Sequence, residues 1–364
     1  FGANFKKGNV ITSISSSGVS PVLARILKNK LQNSLPQNLE LISDFLAQNK
    51  KIIREKFSNL QARRIFLQEV IDGIIGTELE VGNVQKAQKL LEEKFAKQSN
   101  EKQSAVYFIS AGPGDPELIT LKAIKLLQKA DVVLYDRLVA PEILNYARKD
   151  AIKINVGKTK DLHRYKQEEI NKLLYDYAKK GNVVARLKGG DATIFARLTE
   201  EIDAIHDLNI PYQIIPGVTS ASGAGASIGI SLTSREANKS VRFLTIYQKD
   251  LVDDKYFKTI ATSDDTLVLY MSSHNLGDVV NNLMKFGKNP KTPLAIIEQA
   301  TTIYQKTFSS NLEDFHSEFL NQKFVSPSIV IIGDVVAWHK KYKWREESLT
   351  GEFFNKIKER DNAN

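Results

Sequence analysis

Cysteine is absent from this 364-residue chain, and methionine and tryptophan occur only twice each. Without thiols the protein cannot form a disulfide, a thiolate zinc site or a cysteine nucleophile. Its five histidines lie far apart with no metal-binding spacing, so we predict no metal site. No apolar run approaches the roughly 18 residues of a membrane span, and no signal peptide opens the chain. We therefore expect a cytoplasmic protein with no membrane partner.

The charge is positive overall and unevenly distributed. Lysine and arginine total 51 against 42 acidic residues, a formal net charge of +9, and residues 1–100 contain 15 basic and 9 acidic side chains. Such an excess is typical either of a protein with an anionic ligand or of an ordinary solvated helix surface. No nucleic-acid-binding motif accompanies it, so we predict no nucleic-acid partner.

Residues 1–96 predict a small, mostly helical module. Ser20 followed by Pro21 is typical of a helix start, because the hydroxyl caps the helix and proline fits its first turn. Apolar residues then recur every three or four positions in four helical stretches, the third at about 61–75. Because so small a core is marginal alone, we expect the module to pack against a partner chain or the next domain. The polar stretch 97–104 predicts a linker.

From Ala105 onwards, strand-like and helix-like segments alternate. This alternation predicts an α/β fold with a largely parallel sheet. A second α/β set begins near Val241, so we predict two lobes, followed by a tail at 346–364. The lobes are placed at 105–235 and 236–345. A strand-like run near the end of the second lobe indicates some antiparallel pairing there.

Three glycine turns follow predicted strands in the first lobe. In the first turn, Gly112 and Gly114 permit backbone conformations that other residues disfavour. The glycine spacing differs from that of a dinucleotide-binding loop, and a proline removes one N–H group. Each turn by itself could be a tight connection, but the carboxyl ends of parallel strands meet at one edge of a sheet, so the three together predict a shared ligand cleft. The turns are Ser110–Pro116, Lys188–Asp191 and Pro216–Gly223.

Five segments of the chain together resemble the tetrapyrrole methylases, and among them the uroporphyrinogen-III C-methyltransferases. Residues 10–95 resemble the helical dimerisation part of siroheme synthases, in which such a methylase follows an NAD-binding unit. The resemblance implies a two-lobed α/β fold preceded by a helical dimerisation module, and hence a homodimer. The five segments are Ala111–Ile119, Asp131–Val139, Val156–Lys158, Arg186–Asp191 and Pro216–Gly223.

The resemblance also implies a reaction and a site. The family binds S-adenosylmethionine between its lobes and methylates uroporphyrinogen III twice, which gives precorrin-2 for siroheme biosynthesis. Such a transfer requires mainly positioning, and a base that removes a ring proton. Asp136 and Lys158 match the family's proposed acid–base pair. By themselves, Asp136 could form a surface ion pair with Arg137, and Lys158 could be a solvated lysine. The positions that match the family's cofactor contacts are Pro113, Gly189, Gly190, Asp191, Ile194, Thr219, Ser220, Met271 and Ala300.

The chain departs from the family pattern around these positions. Where the family has G-G-D-P-F-x-F-G-R-G-G-E-E, this chain has Ala192, Ala196, Leu198 and Thr199 in place of the proline and three glycines, and Ala300 also replaces a glycine. These differences motivate two alternatives: a catalytically decayed methylase kept as a dimeric tetrapyrrole-binding protein, and a methyltransferase for a later precorrin. The sequence begins after the family's NAD-binding unit, so we expect neither dehydrogenase nor ferrochelatase activity.

Overall fold

The computed structural model describes residues 3–35, 38–96, 104–157, 165–235, 238, 240–246, 254–319 and 322–354. The chain divides into two compact units, Phe1–Lys102 and Gln103–Asn364. In the first unit, helices follow a β-hairpin, and in the second, helices accompany two five-stranded sheets.

The first unit begins with the antiparallel strands β1 (Ala3–Lys7) and β2 (Val10–Ile14). As predicted, the Ser20 hydroxyl caps the first helix by accepting the Leu23 N–H at 3.2 Å. The prediction of one helix over 61–75 is wrong, because Gly73 adopts an extended conformation and separates two helices. The described helices are α1 (Pro21–Ser34), α2 (Leu39–Lys56), α3 (Leu60–Asp72), α4 (Ile74–Glu80) and α5 (Val84–Ala96).

The first sheet of the second unit is entirely parallel. Its strand order is β5-β4-β6-β3-β7, and every residue of β4 and β6 is buried. Short 3-10 helices occur at Pro116–Leu118 and Pro141–Tyr146. The strands are β3 (Ala105–Ser110), β4 (Val132–Tyr135), β5 (Ile152–Asn155), β6 (Val183–Lys188) and β7 (Tyr212–Ile215). The helices are α6 (Leu121–Leu127), α7 (Gln167–Lys179), α8 (Leu198–His206) and α9 (Ser220–Ser227).

The second sheet is mixed, with the order β11-β10-β12-β9-β8. Strands β8 and β9 pair in parallel and the other three pairs are antiparallel, which confirms the predicted antiparallel pairing. A parallel sheet followed by a mixed sheet, with helices between the strands, confirms the predicted α/β fold. The strands are β8 (Val241–Thr245), β9 (Thr266–Tyr270), β10 (Pro293–Glu298), β11 (Lys306–Asn311) and β12 (Ser328–Ile332). The helices are α10 (Asp254–Ala261), α11 (Leu276–Lys285), α12 (Phe315–Phe319) and α13 (His339–Tyr342).

Residues 346–354, where the sequence predicts a tail, pack onto the rest of the unit. Phe353 and Phe354 are 9% and 4% exposed and belong to the apolar core on one face of the first sheet. The Gln299 side chain fastens this segment, because it donates to the Gly351 carbonyl at 2.9 Å and accepts the Phe353 N–H at 2.6 Å. The segment therefore connects the end of β10 to the core of the first lobe.

The described helices are short. The longest, α2, has 18 residues and buries Ile42, Phe45 and Ile53 on one side. Across the described ranges, no helix combines the length and the apolar character needed to cross a membrane. In the same ranges, no three His, Cys, Asp or Glu side chains are grouped so that they could hold a metal ion.

Candidate functional site

Two of the glycine turns join at the carboxyl edge of the first sheet. Gly112 donates to the Gly190 carbonyl at 3.1 Å, and Gly190 donates to the Gly112 carbonyl at 2.7 Å. Their φ values are +82° and +68°, a region that glycine adopts without steric cost. The turn after β3 is thereby fixed to the turn after β6.

Asp191 fastens the third turn to this pair. Its Oδ2 accepts the Gly217 N–H at 2.9 Å, while Oδ1 accepts the Thr193 N–H at 2.7 Å and the Thr193 hydroxyl at 2.5 Å. The side chain is 8% exposed. Its carboxylate therefore holds the turns in place, and the cofactor contact that the sequence predicts at Asp191 stays a prediction.

Tyr270, at the end of β9, reaches the same edge from the second lobe. Its hydroxyl lies 2.6 Å from Thr219 Oγ1 and accepts the Ala221 N–H at 3.1 Å. Burial raises the pKa of the Tyr270 phenol, while the hydrogen bonds to Thr219 and Ala221 oppose that shift. The next residue, Met271, is 51% exposed and has a φ of +55°. These contacts bring Thr219, Ser220 and Met271 to one place.

A second contact between the lobes involves the turn after β10. Thr301 Oγ1 accepts the Asp115 N–H at 2.9 Å. A Cβ atom on Gly114 would lie 2.7 Å from Thr302 Cγ2 and 3.0 Å from the Ala300 carbonyl oxygen. Gly114 therefore lacks a side chain because the two lobes approach closely there. The same approach places Ala300 beside the turn after β3.

The remaining predicted cofactor positions lie around the same cleft. A Cβ on Gly223 would lie 2.6 Å from Pro113 Cγ, so Pro113 packs onto α9. Ile194 packs against the apolar core that contains Tyr270 and Ala300. A Cβ on Gly189 would lie 2.7 Å from the Leu138 carbonyl oxygen, so packing alone already requires glycine there. The structure thus gathers all nine positions, whereas Lys158 lies outside the described residues.

Two apolar side chains near the glycine turns are exposed. The turn glycines are buried except Gly189 and Gly217, which are half-buried, while Phe195 and Met271, 43% and 51% exposed, offer apolar surface. Five non-glycine residues here have φ values between +46° and +70°. Strained backbone of this kind concentrates at binding and catalytic sites. These five residues are Phe195, Arg197, Met271, Gln299 and Thr301.

Asp136, the predicted base, belongs to a cluster of four charges at the end of β4 and β6. Arg186 contacts Asp136 Oδ1 at 2.6 Å and Glu201 Oε1 at 3.0 Å. Lys188 Nζ lies 2.7 Å from Glu201 Oε1 and 4.0 Å from Asp136 Oδ2. Sequence reasoning missed Arg186 and Glu201 and treated Lys188 only as part of a turn. The available signal was that Arg186 and Lys188 alternate on one face of an otherwise apolar strand.

Comparison with known proteins identifies the family. The sequence profile of the tetrapyrrole (corrin/porphyrin) methylases matches residues 105–316. This chain belongs to the tetrapyrrole methylase family. It is 39% identical to a siroheme synthase of Pseudoalteromonas atlantica over 336 residues. This aligned region covers 92% of this chain and 73% of that relative. It is also 39% identical over 352 residues to a siroheme synthase of Pseudomonas paraeruginosa, with 96% and 76% covered.

Solved structures share the tetrapyrrole-methylase fold of the second unit. The uroporphyrin-III C-methyltransferase of Thermus thermophilus, crystallised with S-adenosylhomocysteine, has 33% identity and a TM-score of 0.55, covering 64% of this chain and 99% of that one. A cobalt precorrin-4 methyltransferase has 26% identity and a TM-score of 0.57, covering 64% and 95%. The predicted two-lobed methylase fold is thus confirmed.

This member of the family accommodates its departures from the family pattern locally. Ala192 has an N–H group where the pattern has proline, and that group donates to Ser110 Oγ at 2.9 Å, with both residues fully buried. Leu198 and Thr199, in place of glycines, form the first turn of α8, where Leu198 packs against an apolar core. None of these three described residues disrupts the bridge between Gly112 and Gly190.

Proposed function

We propose that the protein transfers methyl groups from S-adenosylmethionine to uroporphyrinogen III and forms precorrin-2 in siroheme biosynthesis. The observation that carries the proposal is the edge of the first sheet itself, where the bridge between Gly112 and Gly190 lies beside Ser220 and the Tyr270 hydroxyl of the second lobe contacts the adjacent Thr219. The names of the relatives support it, because the two siroheme synthases are 39% identical to this chain.

The methyl donor would occupy the space beside the glycine turns. When bound there, S-adenosylmethionine supplies an electrophilic methyl group on its sulfonium sulfur. Gly189, which is half-buried, would offer backbone groups, whereas the N–H and carbonyl of Gly190 already pair with Gly112 and hold the turn in shape. Ile194 and Met271 would offer apolar surface, and Thr219 begins the turn into α9. Holding two reactants in one orientation, in a crevice from which water is excluded, supplies most of the rate enhancement that such a displacement requires.

Asp136 would complete the chemistry. A ring carbon forms a bond to the methyl group while the bond from sulfur to that methyl breaks and sulfur keeps the electron pair. The methylated ring then loses a proton to restore conjugation. Asp136 is suited to accept it, because Arg186 holds Oδ1 while the side chain remains 30% exposed. The proposed role of Lys158, as a proton donor or partner of a substrate carboxylate, remains a prediction.

The carboxylates of the substrate require cationic groups at the rim of the cleft. Arg197 is 62% exposed and lies in the same loop as Phe195, with Glu200 at 3.6 Å. Its guanidinium can exchange this exposed partner for a substrate carboxylate, since such a surface pair is worth little. This is consistent with a polycarboxylate macrocycle as the acceptor.

The direct test is to incubate the full chain with uroporphyrinogen III and S-adenosylmethionine labelled in the methyl group. We expect two labelled methyl groups in each product macrocycle. Absence of label from the macrocycle would contradict the proposal, and macrocycle binding without transfer would favour a decayed methylase. Transfer only to a later precorrin would favour the other alternative, to which the likeness to a cobalt precorrin-4 methyltransferase lends support.

A pair of glycine variants connects the activity to the cleft. Gly190→Ala places a Cβ 3.2 Å from Ser220 Oγ at a φ of +68°, so we expect loss of both donor binding and transfer. Gly287→Ala is the matched control, because its φ is +104° and nothing lies within 4 Å of the added Cβ. Loss of activity in both variants would indicate backbone strain alone.

We also propose that the protein works in the cytoplasm as a homodimer. The helix α1 supports the dimer, because it exposes four consecutive members of its apolar stripe. The exposed fractions are 54% for Val22, 48% for Leu23, 47% for Ile26 and 45% for Leu27. An exposed apolar face of this kind is typical of a surface that another protein covers.

A further inference from the structure

Four charged groups meet beside the cleft, and three of them are removed from water. Arg186 is 2% exposed, Lys188 4% and Glu201 0%, whereas Asp136 is 30% exposed. The cluster contains two cations and two carboxylates, so its formal charge is zero. Its only partly exposed member is the residue that matches the family's proposed base.

Stability alone is a poor reason for such a cluster. Removing charges from water is energetically unfavourable, and apolar residues of similar volume often stabilise a protein equally well or better. Strand β6 is otherwise apolar up to Arg186 and is buried throughout. Two cations at the end of a buried strand, next to a ligand-binding turn, therefore favour a role in positioning.

Hydrogen bonds connect the four charged groups in a definite order. Glu201 Oε1 accepts from Arg186 Nε at 3.0 Å and from Lys188 Nζ at 2.7 Å. Arg186 also donates to Asp136 Oδ1 at 2.6 Å. Lys188 Nζ is thereby fixed by Glu201 and faces Asp136 Oδ2 at 4.0 Å. Asp136 Oδ1 thus accepts a hydrogen bond from Arg186, whereas Oδ2 faces the Lys188 ammonium at a distance too long for a hydrogen bond.

We propose that Lys188, held by Glu201, is a positioning residue that keeps Asp136 Oδ2 directed at the ring proton released after methyl transfer. This inference rests on the proposed function, in which Asp136 is the base. The proton passes from the ring to Oδ2 and then to solvent through the exposed side of Asp136. Lys188 keeps its own protons throughout and acts on the substrate only through Asp136.

The electrostatics of Lys188 agree with this dependence on Glu201. Burial, together with repulsion from Arg186, lowers the pKa of Lys188, while the carboxylates of Asp136 and Glu201 oppose that effect. The two carboxylates therefore offset part of the effect that burial has on the Lys188 ammonium group. Loss of Glu201 would leave both cations facing Asp136 alone.

The test is a double-mutant cycle between Lys188 and Asp136, measured as kcat with uroporphyrinogen III and saturating S-adenosylmethionine. We expect Lys188→Met to lower kcat by about tenfold to a hundredfold, since a displacement of about 1 Å can have an effect of that size. In the Asp136→Asn background the same substitution should lower kcat less than about twofold, because coupled residues are not additive. An equal loss in both backgrounds would overturn the proposal.

A charge-balanced variant separates positioning from folding. Lys188→Met with Glu201→Gln removes one cation and one carboxylate, so the cluster stays neutral and the protein is expected to fold. If Lys188 serves only to neutralise Glu201, this double variant recovers the wild-type kcat and the proposal is overturned. If Lys188 positions Asp136, kcat stays low while binding of S-adenosylhomocysteine stays within about twofold of wild type.

A measurement independent of turnover keeps this inference distinct from the proposed function. If the wild-type protein transfers no methyl group to uroporphyrinogen III, the proposed function is wrong, and crystal structures then decide the positioning role. Displacement of the Asp136 carboxylate by about 1 Å or more in the charge-balanced variant would support it. An unchanged Asp136 side chain would overturn it.

Discussion

The Tyr270 hydroxyl lies 2.6 Å from Thr219 Oγ1, which connects the last residue of β9 to the residue that precedes α9. It also accepts the Ala221 N–H at 3.1 Å, one of the groups that a helix start leaves without an intrahelical partner. The phenol thus fixes the position of α9 relative to Met271. Residues proposed to contact the methyl donor from both lobes depend on this one hydroxyl.

Replacing Tyr270 by phenylalanine should weaken donor binding. Tyr270→Phe keeps the ring, which packs edge-to-face with Phe195 and Phe243 at centroid distances of 5.1 Å and 5.8 Å. It removes the hydroxyl that contacts Thr219 and Ala221. Losing a buried hydrogen-bond partner costs about 1–3 kcal/mol, so we expect affinity for S-adenosylhomocysteine to fall about fivefold or more. Isothermal titration calorimetry measures this change.

The control for this prediction is Tyr212→Phe in β7. Tyr212 is 46% exposed, and its ring contacts Phe108 edge-on at 6.3 Å, a contact that phenylalanine keeps. We expect its affinity for S-adenosylhomocysteine to equal that of wild type. Equal losses in the two variants would show that the hydrogen bond between the lobes does not determine donor affinity.

The buried end of the chain should be required for stability. Phe354→Ala removes an aromatic side chain that is 4% exposed in the core of the first lobe, where such truncations cost about 3 kcal/mol or more. We expect a lower unfolding midpoint in urea, followed by tryptophan fluorescence. Leu349→Ala, in the same segment but 51% exposed, should leave the midpoint unchanged. A similar midpoint for both variants would mean that residues 346–354 do not contribute to the folded core in solution.

Glu298 gives a prediction about pH. Burial raises its pKa above the ordinary value of 4.5, although its Oε1 accepts the Val325 N–H at 2.6 Å. Because the pKa of Glu298 is higher in the folded protein, the folded protein binds more protons than the unfolded chain does. The contribution of Glu298 to stability is therefore complete below pH 4.5 and is lost as the pH rises through the raised pKa of the folded state. We therefore expect Glu298→Gln to melt at a higher temperature than wild type at pH 7, with the difference disappearing near pH 4.

The control for Glu298 is an exposed glutamate of the same lobe. Glu313→Gln changes a carboxylate that remains in water, so its melting temperature should follow that of wild type at both pH values. If Glu298→Gln melts at a lower temperature than wild type at pH 7, the prediction is contradicted. The charged carboxylate would then stabilise the fold through its hydrogen bond to Val325 by more than its burial destabilises it.

Local chemistry explains which parts of the fold could be predicted. Ser20 and Pro21 specify a helix start through a hydroxyl and a fixed φ, and the structure has that cap. The apolar run ending at Lys188, followed by two glycines, predicts a buried strand and a turn, and β6 ends there. The helix break at Gly73 was missed because one glycine within a periodic apolar pattern is often tolerated in a helix.

The partners of Asp136 could not be predicted, because they depend on contacts between distant segments. Sequence reasoning offered a surface pair with the adjacent Arg137, whereas the structure pairs Asp136 with Arg186, 50 residues away. Period-two alternation places Arg186 and Lys188 on one face of a strand but does not reveal that Glu201 lies opposite. Phe353 and Phe354 likewise follow no periodic pattern that would indicate their burial.

The exposed face of α1 should determine the oligomeric state. Leu27→Glu introduces a charge into a stripe that includes Leu23 and Ile26, both nearly half exposed. Burying an unpaired carboxylate in an apolar interface is strongly unfavourable, so we expect the proposed dimer to dissociate into monomers. Light scattering coupled to gel filtration measures the mass directly.

Leu60→Glu is the control, because Leu60 is 79% exposed on α3, outside this stripe, and should leave the mass unchanged. A dimer that persists in Leu27→Glu, or a monomeric wild-type protein, would contradict the assignment of α1 as the interface.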